Sequence, residues 1–188
     1  RFKKGQDIRL HEEQKNIQVK AIVILAVSLI LRILLSYSIM GYMVDVNCCL
    51  SWGNTFASVG PTRFYEATNF CDYPPLYTYV LGLNARISNA LGNGDAISRV
   101  VFTLIPNRCD LIGGWMLYRI LLKRGKTQGK DALLFLTLVV FNPANILNSA
   151  AWGQMDSVLF LLLMCIALLA IDGKWIAALP MYVVSVLI

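Results

Sequence analysis

The chain has 188 residues, of which 57% are hydrophobic and only 15% charged, well below the roughly 25% of soluble domains. Its mean hydropathy is +0.60 and its formal net charge is +6. These values exclude an ordinary soluble enzyme and point to an integral, multi-pass membrane protein of all-α class. The positive excess flanks apolar runs instead of forming an interleaved basic face, so nucleic acid is not the expected partner.

Residues 1–20 carry Arg1, Lys3, Lys4, Arg9, Lys15 and Lys20 against Asp7, Glu12 and Glu13, and 123–130 carries Lys123, Arg124, Lys126 and Lys130 with no acid. Segment 44–75 holds one cation, Arg63, against Asp45, Glu66 and Asp72. Basic flanks mark the cytoplasmic side of a membrane, so 1–20 is read as a cytoplasmic segment and 44–75 as an outer or lumenal loop. The transmembrane region is 21–188. No cleavable signal peptide is expected, because 20 hydrophilic residues precede the first apolar run.

The first span is predicted over Ala21 to Met43, long enough at 1.5 Å per residue to cover about 30 Å of hydrocarbon. Arg32 near its middle either pairs with another helix or meets a lipid phosphate. The loop 44–75 contains a helical spacing of Leu50, Trp52, Phe56 and Val59, which predicts a short interfacial helix over Asn47 to Val59. Leu76 to Leu91 is apolar but short and contains Asn84 and Arg86. If it crosses fully, 123–130 falls outside and breaks the charge rule; if it is re-entrant or interfacial, Asp45, Asp72 and Asp156 share the outer face. The second arrangement is favoured.

Val100 to Leu122 is the next span, with Pro106 expected to kink it and Arg108 and Asp110 to face protein or water. Leu133 to Ile146 and Val158 to Ile171 follow, and Trp175 to Ile188 begins another. Between them lies a polar island, Asn142 to Ser157, reading NPANILNSAAWGQMDS. Hydrocarbon penalises such a patch, so the chain leaves the bilayer here or lines a wet cavity. The chain does not begin with Met and ends inside an apolar run, so it is expected to be the N-terminal portion of a larger protein.

Three elements carry candidate chemistry. Asp45 follows the first span, where a carboxylate can act as general base toward a hydroxyl, although taken alone a solvated loop acid or a helix cap is the commoner reading. In Asp72-Tyr73-Pro74-Pro75 the prolines predict an extended lead-in and then a helix start, while Tyr73, Tyr77 and Tyr79 suit the headgroup zone and can pack on sugar faces. In Trp152-Gly153-Gln154-Met155-Asp156 the ring, the glycine and the polar groups suit a substrate, and Asp156 also suits the N-terminus of the next helix. Arg86, Arg99 and Arg108 are candidate phosphate partners.

The five cysteines show no metal spacing; Cys48 or Cys49 could pair with Cys71 in an oxidising compartment, but free thiols are the simpler expectation. There is no nucleotide-binding signature. His11 is the single histidine, which excludes a His-based metal site or a Ser-His-Asp triad within this chain.

An acid after the first span, the run DYPPLYTY, and FNPANILNSAAWGQMDS before a long apolar run together resemble the GT-C membrane glycosyltransferases. Within these the pattern is similar to bacterial mannosyltransferases related to the enzyme that adds the second mannose of GPI anchors. The resemblance runs from about Ile22 to the chain end. It implies an inverting transferase that takes a sugar, mannose by this likeness, from a polyprenyl-phosphate donor to a hydroxyl of a lipid or glycan acceptor. It places transfer on the outer or lumenal face of a bacterial plasma membrane, or of the endoplasmic reticulum in a eukaryote. Asp45 matches the expected base; Asp156 matches a later acid at the membrane border; Asp72, Tyr73, Trp152, Gln154, Arg86 and Arg108 would bind substrate. No metal and no cofactor are implied. Relatives of this kind continue into a Lys-Pro-Gln-like segment that this chain does not contain. A non-catalytic subunit, or a transporter or flippase for a lipid-linked solute, are the alternatives.

Overall fold

The computed structural model describes the backbone of residues 2–124 and 127–188, and the side chains of 12–123 and 127–188. The side chains of Arg1, Lys3, Lys4, Asp7, Arg9, His11, Arg124 and Lys126 lie outside the described residues. Among the described residues the fold is all helical, with no strand: α1 Phe2–Ser38, α2 Met43–Val59, α3 Phe64–Ala67, α4 Pro75–Ala90, α5 Asp95–Arg124, α6 Gly129–Val140, α7 Pro143–Ile146, a π-helical turn Leu147–Trp152, α8 Asp156–Ile171 and α9 Trp175–Val186.

Helices α1 and α5 run antiparallel, with α6 beside them. At one end Arg99 Nη2 donates to Tyr37 O (3.0 Å) and Thr103 Oγ1 to Ser36 Oγ (2.8 Å). At the other end Ala21, Tyr118 and Ala132 share a buried apolar cluster with Leu136 and Val140. A second cluster sits at the first end: Trp52 and Phe56 of α2, Tyr77 and Leu81 of α4, Phe102 of α5, and Met155 and Val158.

Between the two clusters lies a polar layer. Arg32 is fully buried; it forms an ion pair with Asp110 (2.6 Å) and donates to Asn107 Oδ1 (3.3 Å) and Val140 O (3.1 Å). The break in α6 explains the last bond. Pro143 has no N–H, and the Ala144 N–H donates to the Asn142 side chain (2.9 Å), so Val140 O loses its helical donor. Ser28 Oγ (3.0 Å) and Arg32 satisfy it instead. Thus Arg32 is an interhelical partner and not a phosphate ligand. Asp110 does face protein, whereas Arg108 is exposed.

Several expected boundaries shift. The first span ends at Ser38 and not at Met43, because the chain breaks its helix over 39–42 and restarts at Met43. The helix expected over 47–59 is present but starts earlier, so all of 44–59 is helical and Asp45 lies in its first turn. The stretch 133–146 does not continue as one helix: Gly129–Val140 and Pro143–Trp152 meet at 44°. Helix α5 continues through Pro106. The lead-in to α4 is as read: Pro74 is extended (φ −61°, ψ 157°) and Pro75 opens the helix.

Among the described residues one helix is long and apolar enough to cross a membrane, Glu12–Ser38, whose most apolar 18-residue stretch has a mean hydropathy of 2.4; the bent pair passes the same test only as a unit. Helix α5 is long but charged, and α8 and α9, at 16 and 12 residues, reach only about 24 and 18 Å.

Candidate active site

The 39–42 break sets the site. Gly41 lies against the Ala151 carbonyl and the Trp152 Cα so closely that no Cβ fits. This close approach brings the first turn of α2 beside the WGQMD segment. Asp45, half-buried, then accepts on Oδ2 from Trp152 Nε1 (3.1 Å) and from Gln154 Nε2 (3.4 Å). Its Oδ1 has no partner among the described residues. A carboxylate in the first turn also favours the helix dipole.

The WGQMD segment is shaped by the π-helical turn before it. This turn ends at Gly153, which is left-handed (φ 79°) and would carry a Cβ into the Phe102 ring; both features demand glycine. The Gln154 N–H returns to Asn148 O (3.1 Å), closing the turn. Inserted π turns of this kind re-aim side chains. Here the effect is to present Trp152 outward, 40% exposed, with its ring edge-on to Tyr42 at 6.2 Å.

Tyr73 is the third member. Its hydroxyl donates to Gln154 Oε1 (3.4 Å), which fixes the amide so that its nitrogen faces Asp45. Tyr73 is held in place by rings on both sides: Tyr77 at 4.6 Å and Trp52 at 5.8 Å. Trp52 in turn donates from Nε1 to Phe70 O (2.6 Å), tying the loop before DYPP to α2. Burial pushes the Tyr73 hydroxyl up to about 12; Cys49 and the carboxylates of Asp72, Asp45 and Asp156 add to the shift. The group therefore keeps its proton at neutral pH and donates a hydrogen bond.

Asp156 opens α8 and accepts from Asn148 Nδ2 (3.2 Å), so it is a helix-start acid with its own anchor. A small cavity of about 130 Å³ lies between Tyr73, Gln154, Asp156 and Ile188. Asp72 is exposed next to Tyr73.

Five of the eight residues predicted from sequence thus assemble: Asp45, Tyr73, Trp152 and Gln154 through hydrogen bonds, and Asp156 across the small cavity. Asp72 contributes charge alone. Arg86 and Arg108 do not join them; both are exposed, on α4 and α5, with no hydrogen bond or ion pair to the others. The sequence assigned no site role to Gly41 or Asn148, and it marked Trp52 only as an apolar position of the interfacial helix. Asn148 carried one available signal, a polar residue eight positions before Asp156 on an otherwise small-residue stretch. Gly41 and Trp52 act through contacts that no local pattern encodes.

The described cysteines are all free thiols. Among the described residues no three of His, Cys, Asp and Glu converge on a point that could hold a metal ion. Compared with protein-family models, with curated proteins and with solved structures, the chain shows no match.

Proposed function

We propose that this chain carries the reactive end of a multi-pass membrane glycosyltransferase, which moves a sugar from a polyprenyl-phosphate donor to a hydroxyl of a lipid or glycan acceptor with inversion at the anomeric carbon. Mannose is the sugar that the resemblance to the GT-C enzymes implies. The observation that carries the reading is the carboxylate of Asp45, clamped on one oxygen by Trp152 and Gln154 from more than 100 positions away and open on the other.

In this reading Asp45 Oδ1 takes the proton of the acceptor hydroxyl as its oxygen attacks the anomeric carbon, and the bond to the phosphate oxygen breaks. Trp152 and Tyr73 offer ring faces to sugar C–H groups. The departing phosphate needs a cation. Arg99 suits this best: its bond to Tyr37 O puts it beside the 39–42 break that leads to Asp45, and its Nε has no partner among the described residues.

The membrane setting is supported by surface character. Only 22% of the most apolar stretch of α1 is buried, unlike the core helix of a soluble protein. Large apolar side chains stay exposed on α1 (Ile22, Val27, Ile30, Leu34), α6 (Leu134, Leu138) and α9 (Ile176, Val183). Both ends of α4 stay at the Asp45 end: Leu76 N–H donates to Leu187 O (3.1 Å), and Ser88 Oγ pairs with Ser98 Oγ (2.6 Å). Lys123 and Lys130 lie at the opposite end, with Gly129 packed on Ile17. This arrangement supports a non-crossing 75–90 and a basic, cytoplasmic end.

The test is incubation of membranes carrying the full-length gene with radiolabelled polyprenyl-phosphate-mannose. A labelled covalent product supports the reading. Movement of solute without product would favour a transporter, and neither activity would favour a subunit.

A further inference from the structure

A second cavity lies between α2, α4 and the start of α5, with a volume of about 240 Å³. This is below the roughly 300–1,000 Å³ of sites for drug-sized ligands, so it suits a small headgroup. Its polar lining is made of amides and hydroxyls: Asn84, Asn54, Asn93 and the paired Ser88 and Ser98, with Asp95 as the single charge. No lysine, arginine or histidine lines it.

Asn84 is the informative residue. It is only 8% exposed, yet its side chain has no hydrogen-bond partner among the described residues, and it lines this cavity. Its amide atoms are not sealed in the core but open at the cavity wall, so two donors and an acceptor stand ready for whatever fills the cavity. The lack of cations disfavours phosphate or carboxylate, whereas amides and hydroxyls match the alternating donors and acceptors of a polyol. Phe102 supplies an apolar wall for C–H groups. The cavity is also aligned with the reactive end. Asp45, Cys49 and Gly53 fall on one face of α2 at four-residue spacing, and the latter two line the cavity, which begins about 6 Å along the helix from Asp45.

We propose that this cavity binds a neutral polyhydroxyl headgroup, a sugar or cyclitol without charge, through Asn84 and the amides and hydroxyls around it. Its assignment to the acceptor side rests on the reading of Asp45 as base; the binding itself does not.

The experiment is saturation-transfer NMR on the full chain in a detergent without a sugar headgroup, with methyl α-mannoside and myo-inositol as probes and mannose 6-phosphate as the charged comparator. Transfer to at least one neutral probe, with little to the phosphate, is expected. Asn84→Leu, close in volume, should weaken binding at least about tenfold, the loss of one buried hydrogen-bonded contact. Asn54→Trp, at an exposed rim position where folding tolerates bulk, should cover the cavity and do the same. Asp45→Asn should leave binding unchanged. No transfer to the parent chain, or full binding in whichever of the two cavity variants folds, would overturn the proposal. Loss of polyol binding with sugar transfer intact removes this site alone. Polyol binding with an active Asp45→Asn enzyme removes the catalytic reading alone.

Discussion

At the residue scale the site depends on how one carboxylate is held. Trp152 and Gln154 both bond Asp45 Oδ2; buried bonds to a charged group contribute about 1.5–3 kcal/mol, and these less, since one is exposed and the other is 3.4 Å long. Trp152→Phe keeps a ring but removes the donor. It should lower kcat by roughly 10-fold or more with donor KM little changed, whereas Trp152→Ala should also raise KM. Steady-state kinetics on the two variants separate holding the base from packing on the sugar, and equal losses in both would contradict the split. Tyr73 supports the clamp through Gln154. Its pKa is raised from 10 to about 12, so the neutral, donating form is favoured by folding; that contribution is full below pH 10 and is lost as pH rises through about 12. The residue types of this site were legible in the sequence, since acids, aromatics and an amide stood out against apolar runs. Their pairing was not, because Asp45 and Trp152 meet only through the close approach of Gly41, which has no local signature. The arginines misled for a related reason: Arg86 and Arg108 carry the right chemistry, but helix phase turns them outward.

At the element scale, the polar island is a helix break and not a simple exit. Asn142 and Pro143 end α6 and start α7, and the freed Val140 carbonyl is taken up by Ser28 and Arg32. The Asn-Pro signal was readable, since both residues favour helix starts. The π-helical turn was not, because its sequence LNSAAW has no distinct propensity and its partners are distant: Ser36 donates to Ala150 O, and Phe102 lies against Gly153. The Arg32–Asp110 pair locks α1 to α5 at this level. Asp110→Leu leaves a buried guanidinium unpaired and should destabilise the bundle by about 3–5 kcal/mol. The double variant Arg32→Met, Asp110→Leu should recover most of that loss, because Ser28 still bonds Val140 O. Thermal unfolding in detergent measures both; a double variant no more stable than the single one would show that the pair is not what holds these helices.

At the scale of the whole molecule the charge pattern and the fold agree. Lys123 and Lys130 share one end with the N-terminal part of α1, and Asp45, Asp72 and Asp156 share the other. The sequence carried this asymmetry openly, and its charge rule already favoured a 76–91 that does not cross; what it did not give is the packing of α4 on α2, since a short apolar helix reads alike whether it crosses or returns. In a background without the native cysteines, Ser58→Cys should label from the outer side and Gln128→Cys only after permeabilisation; Gln128→Cys labelling in intact cells would reverse this topology. Asp45 as the base is the central functional assignment. Its most direct test is the initial rate of mannosyl transfer from polyprenyl-phosphate-mannose by Asp45→Asn, normalised to the amount of folded protein. Loss of a general base predicts a fall of about 100- to 10,000-fold with donor binding retained. A rate equal to that of the parent would contradict it.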